Sequence, residues 1–166
     1  MSAVRITLNG SALRTEVEPR TSLADFVREQ MNLTATHLGC EHGVCGACTV
    51  VVDSEPVRGC LTLAIACEGA DVRTLEGLRD DKVMQVLVEA FHENHGLQCG
   101  FCTPGMLVTA RDLIVRGKAG SDREIRLGLS GNLCRCTGYT SIVDSIRAAA
   151  EALRASDGQA ARPAAG

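Results

Sequence analysis

Hydrophobic and polar positions alternate at the start of the chain. Val4, Ile6 and Leu8 stand against Arg5 and Thr7, the period of a half-buried strand. Asn9-Gly10 follows, a pair suited to a tight hairpin turn, and Leu13 and Val17 mark a returning strand. The period then changes. Leu23, Phe26, Val27 and Met31 recur at helical spacing behind Thr21 and Ser22, either of which can cap; this predicts a helix that covers the sheet. Thr49 to Val52 reads as a further strand, Asp53 to Pro56 as a turn, and Asp71 to Gly77 as a last short strand with an exit turn.

Beyond Gly77 the period is helical throughout. Val83, Leu87 and Phe91 form one stripe, with Met84 and Val88 beside it; Met106, Ala110, Leu113 and Ile114 form a second. Thr103-Pro104 is a helix-start signal, Thr as a cap and Pro at the first helical position. Ser121-Asp122-Arg123-Glu124 reads as a capping box opening a shorter helix. Ile142, Ile146, Ala149, Ala150 and Leu153 form the last stripe. Four helices joined by short loops predict a small bundle. The expected division is residues 1–77, residues 78–155, and a mobile tail over 156–166, where Ala, Gly and Pro dominate.

Composition narrows the function. Trp is absent and aromatic residues make up 2% of the chain, which argues against base-stacking platforms. The net charge of −3, without a basic patch, argues against phosphate-backbone binding. No apolar run reaches the length of a membrane span. The N-terminus shows no charged n-region, apolar h-region or twin arginine, so a cytoplasmic location is expected, unless a partner carries an export signal.

Nine cysteines carry the candidate chemistry. In a reducing compartment their clustering points to metal rather than to disulfides. Cys40, Cys45 and Cys48 read C-x4-C-x2-C, and Cys60 follows after 11 residues. That is the spacing of plant-type [2Fe–2S] ferredoxins. Gly39, Gly43 and Gly46 let the loop wrap an anionic cluster with backbone N–H groups. Zinc, the competing metal, prefers two short C-x₂₋₄-C knuckles. Farther on, Cys99 and Cys102 form a C-x-x-C pair and Cys134 and Cys136 a C-x-C pair, with 31 residues between them. Such spacings make sense when the sulfurs converge on one inorganic object. Cys67 lies in an apolar run and reads as a small buried hydrophobe. His37 and His42 are expected to be bystanders, since four thiols already stand there. Glu89, His92 and Glu93 read as a solvated helix face, and His95 as helix-end polarity. No nucleophile–base pair emerges, so the chain is expected to move electrons without breaking substrate bonds.

Taken together, Gly39 to Val50, Cys60, Gly96 to Met106 and Gly131 to Tyr139 resemble the small iron–sulfur subunit of the molybdenum hydroxylases, the xanthine oxidase and aerobic carbon monoxide dehydrogenase family. The resemblance covers Val4 to Leu153. It implies an α+β chain: an N-terminal β-grasp, ferredoxin-like [2Fe–2S] domain followed by an all-α four-helix [2Fe–2S]-binding bundle. Cys40, Cys45, Cys48 and Cys60 would hold one cluster, and Cys99, Cys102, Cys134 and Cys136 the other. It further implies a large molybdopterin-binding subunit and a medium FAD-binding subunit as partners, assembled as a dimer of heterotrimers. Electrons would run singly from molybdenum through the bundle cluster and the plant-type cluster to FAD. Gln98 and Cys136 would lie against the pterin; the alternative for Gln98 is that it only satisfies loop backbone groups. Arg135 either offsets cluster charge or is a surface residue. The rival readings are a free-standing two-cluster electron carrier and a zinc or disulfide module.

Overall fold

The computed structural model describes residues 1–160, the side chains of 157–160 excepted. Strand β1 (Ser2–Leu8) turns at Asn9 and Gly10, whose φ angles of 50° and 82° make the tight hairpin, into β2 (Ser11–Val17). Val4, Ile6 and Leu8 face inward, as their alternation requires. Ser22 caps α1 (Leu23–Asp25), accepting the Asp25 N–H at 3.0 Å, and the helix continues as a wider π turn over Phe26–Gln30. Strand β3 (Thr49–Val52) pairs with β4 (Glu55–Arg58), and β5 (Asp71–Arg73) runs parallel to β1 and antiparallel to β3. The sheet order is β2-β1-β5-β3-β4, with Leu23, Phe26 and Val27 buried against Val4, Ile6, Val17, Val50 and Val72. This is the β-grasp arrangement.

Glu55 and Pro56, expected in a turn, open strand β4 instead. The turn itself is only Asp53-Ser54, with φ of 48° and 69°. Pro56 then fits within β4 because that strand is a sheet edge, where a missing N–H costs no ladder bond.

The second half holds α2 (Lys82–Glu93), α3 (Thr103–Val115), α4 (Asp122–Gly128) and α5 (Tyr139–Ala160). Asp81 caps α2 through the Met84 N–H, and Ser121 caps α4 through the Glu124 N–H. Met84, Leu87, Phe91, Met106, Ile125, Ile142 and Ile146 form its core; Val88, placed beside the first stripe, is 49% exposed. Helix α5 runs into the stretch expected to be a mobile tail, and residues 161–166 of that stretch lie outside the described residues.

The halves share a wall. In β3, Val50 packs into the sheet core while its neighbour Val51 packs into the bundle core. Among the described residues, no helix is long and apolar enough to cross a membrane.

Candidate iron–sulfur centres

None of the nine cysteines is disulfide-bonded. Eight lie in loops or at element ends, in two groups of four. The first group sits on the loop between α1 and β3 and on the turn after β4. Its thiols interact in pairs, Cys40 with Cys45 and Cys48 with Cys60. The backbone curls around Cys40, whose Sγ accepts the Cys45 N–H at 3.3 Å. Those N–H groups, Cys45 first and then His42, pull the Cys40 thiol down to about 6. Burial, with Cys48 close by, pushes Cys60 up to about 11.

The second group joins the loop before α3 to the loop before α5. It too pairs, Cys102 with Cys134 and Cys99 with Cys136. Cys102 is pushed up to about 12 by burial and by Cys134, whereas Cys99 is lowered, chiefly by the Phe101 N–H. The Gly138 N–H reaches Cys134 Sγ at 3.3 Å. All four cysteines border a cavity of about 380 Å³ that also touches Cys45 and Phe101. Cys102 itself is the N-cap of α3, with Thr103 and Pro104 as the first two helical residues. The expected Thr103 cap is thus displaced by one residue, because the helix starts from the cysteine. The sulfur consequently lies at a helix N-terminus, where the backbone favours negative charge.

The donor set fits a two-iron cluster in each group. The thiols come as two pairs per group, the number needed when each of two irons takes two thiolates.

Other sequence candidates fall around these groups. Gln98 is exposed, and its Nε2 donates to the Cys136 carbonyl at 3.3 Å, tying the loop of Cys99 and Cys102 to that of Cys134 and Cys136. Arg135 is exposed. Cys67 is 2% exposed inside the sheet core, where burial raises its thiol. His42 contacts the Cys40 carbonyl through Nδ1. The His37 ring stacks on Phe101 at 4.7 Å, and its Nδ1 donates to the Phe101 carbonyl at 2.7 Å, joining the two halves.

The junction between the groups went unread in the sequence. The Leu133 N–H donates to the Cys45 carbonyl at 2.8 Å. Arg58 reaches across from β4 to the Gly131 carbonyl at 2.6 Å. The Tyr139 hydroxyl donates to the Asn132 carbonyl at 3.0 Å and accepts the Cys134 N–H at 2.9 Å, pinning the C-x-C turn. A lone tyrosine beside a cysteine pair was the available signal. The backbones meet closely here: a Cβ on Gly105 would lie 2.3 Å from the Gly46 carbonyl oxygen, and one on Gly46 would lie 2.4 Å from that of Gly131.

A β-grasp domain and a helical bundle, each gathering four thiols and touching through the loops that carry them, define a two-centre iron–sulfur protein. Residues 6–74 match the family model of the 2Fe-2S iron-sulfur cluster binding domain, and residues 74–147 that of the [2Fe-2S] binding domain. The gamma subunit of caffeine dehydrogenase from Pseudomonas sp. (strain CBB1) is 53% identical over 87% of this chain and 88% of its own. The small subunit of nicotine 6-hydroxylase from Paenarthrobacter nicotinovorans is 46% identical over 86% of each. The crystal structure of quinoline 2-oxidoreductase from Pseudomonas putida 86 contains a chain that superposes with a TM-score of 0.86 at 49% identity, over 93% of this chain and 96% of that one. The chain belongs to the small iron–sulfur subunits of the molybdenum hydroxylases. It is an electron-transfer subunit carrying two [2Fe–2S] clusters, and works within a multi-subunit oxidoreductase rather than alone.

Proposed function

We propose that this subunit passes electrons singly from a molybdopterin site on a large partner subunit to FAD on a medium one, within a dimer of heterotrimers. Cys40, Cys45, Cys48 and Cys60 hold the plant-type cluster. Cys99, Cys102, Cys134 and Cys136 hold the bundle cluster, with Gln98 and Cys136 on its pterin side. The clusters supply one-electron storage, which divides a two-electron oxidation into single steps. The protein's part is to hold them close and to surround the sulfurs with N–H donors that set their potentials.

The observation that carries this reading is the direct bond between the two groups, Leu133 N–H to Cys45 carbonyl at 2.8 Å. A chain with two unrelated structural centres has no need for it. The relatives named for caffeine, nicotine and quinoline share a nitrogen heterocycle, which supports a substrate of that class for the assembled enzyme. The test is to purify the chain with its partners and add a purine, pyridine or quinoline under anaerobic conditions. Both clusters should become reduced, seen as bleaching in the visible spectrum and as two paramagnetic signals. Clusters that stay oxidised with every such substrate, in a complex containing molybdenum, would refute the proposal.

A further inference from the structure

The gap between the two thiol groups is held by polar side chains that are not among the eight cysteines. Asn132 is 2% exposed. Its Nδ2 donates to the Gly46 carbonyl at 3.2 Å, across 86 residues of sequence. Its Oδ1 accepts the Thr109 hydroxyl at 3.1 Å and the Arg58 guanidinium at 3.4 Å. The residue after it supplies the N–H that meets the Cys45 carbonyl, and the residue after that is Cys134. On the other side, Gly46 directly follows Cys45. One amide therefore bridges a position two residues before a thiol of the bundle and a position next to a thiol of the sheet domain.

The chemistry of the bridge demands an amide. A carboxylate at 132 would set oxygen against the Gly46 carbonyl, and an apolar residue would leave the buried Thr109 hydroxyl without its partner and remove the bond to Gly46. The Gly46 carbonyl would then keep only Thr49, and Arg58 would keep Thr49 and Gly131. The backbones of Gly46, Gly105 and Gly131 are already at contact, so the two loops cannot come nearer. What remains to be controlled is their drifting apart or sliding, and the Asn132 amide opposes both.

We propose that Asn132 is a positioning residue for electron passage between the two centres. It fixes the separation and mutual orientation of the Cys45 and Cys134 loops. This rests on the reading that electrons cross from one centre to the other. Thr109 and Arg58 hold the amide in the orientation that presents Nδ2 to Gly46.

The test uses Asn132→Ala and Thr109→Val in the complete complex. Asn132→Ala should keep full iron content and the separate signal of each reduced centre. The magnetic splitting between the two reduced centres should weaken. The Leu133 amide should exchange its hydrogen faster, and electron equilibration between the centres after rapid reduction should slow by about tenfold or more. Thr109→Val keeps the side-chain shape and should move every readout the same way by less. Wild-type splitting and wild-type Leu133 protection in Asn132→Ala would overturn the proposal. Should Asn132→Ala lose iron, Thr109→Val decides on the same criteria, and iron loss in both variants would also overturn it, by making Asn132 a folding residue. Failure of the underlying reading would look different: the wild-type centres would stay oxidised with substrate while their splitting after chemical reduction was intact.

Discussion

The Leu133 N–H points at the Cys45 carbonyl oxygen, 2.8 Å away. One residue is next to a thiol of the bundle, and the other is itself a thiol of the sheet domain. The two centres are thus joined backbone to backbone, beside the Asn132–Gly46 and Arg58–Gly131 bonds, and the junction has little freedom to move.

Gly105→Ala tests that tightness. The new methyl would sit 2.3 Å from the Gly46 carbonyl, where only backbone can yield. We expect a loss of about 1–3 kcal/mol or more, with changes in both paramagnetic signals although no thiol is altered. Unchanged melting and unchanged spectra would show that the loops are looser than this contact implies.

Cys45→Ser should remove the plant-type signal and spare the other, because Cys45 belongs to the first group alone. Cys67→Ala should leave iron content at the wild-type level, since its thiol is buried in the sheet core. Iron lost from Cys67→Ala would move that residue into the ligand set.

Gln98→Ala should keep both clusters but slow their reduction by substrate, while reduction from the FAD side stays near normal. The side chain already steadies the Cys136 carbonyl at 3.3 Å. Losing that bond and the proposed pterin contact should cost about 1–3 kcal/mol. Rapid-freeze paramagnetic spectroscopy after mixing with substrate reads it, and an unaltered rate would remove Gln98 from the proposed path.

Asp81→Ala is a stability test away from the centres. Asp81 caps α2 and pairs with Arg111 of α3 at 2.7 Å. Burial raises its carboxyl, but the Arg111 guanidinium and the Met84 N–H outweigh burial and hold it below the usual carboxylate range. A depressed folded value means that the stabilisation is complete above the unfolded value of about 4 and fades as pH falls through the folded one. The variant should therefore lose about 1–3 kcal/mol, equally between about pH 5 and about pH 8. Thermal melts across that range check it; a penalty that grows steadily with pH would point to another group.

The purified chain alone, with both clusters filled, should oxidise no heterocycle. Turnover by the isolated 166-residue chain would contradict its role as an electron-transfer subunit.

Much of this was legible because it is local. Hydrophobic period placed β1, α1 and the four bundle helices, and the eight thiols that the spacing singles out lie in two groups of four. Strand β4 was missed because Glu55-Pro56-Val57-Arg58 carries little alternation and a proline, and it forms only because β3 offers a partner at a sheet edge. The α3 cap was placed one residue late, since Thr103 outranks cysteine as a capping residue in general but follows a cysteine that starts this helix. The junction was invisible for a different reason. Arg58 and Gly131 lie 73 residues apart, and Asn132 and Gly46 lie 86 apart. No local pattern encodes such a meeting; it follows from packing α3 against β3.

The paired valines of β3 bear on how the chain is made. During synthesis the sheet half emerges first, with Val50 already inside it and Val51 facing outward onto nothing. Helix α3 then arrives at a surface already shaped to receive it. A fragment ending near residue 77 would leave this greasy strip bare and should clump in solution, whereas the full-length polypeptide hides the strip as its own last helices close. Anyone wishing to study one centre in isolation should mutate ligands within the whole chain rather than cut it.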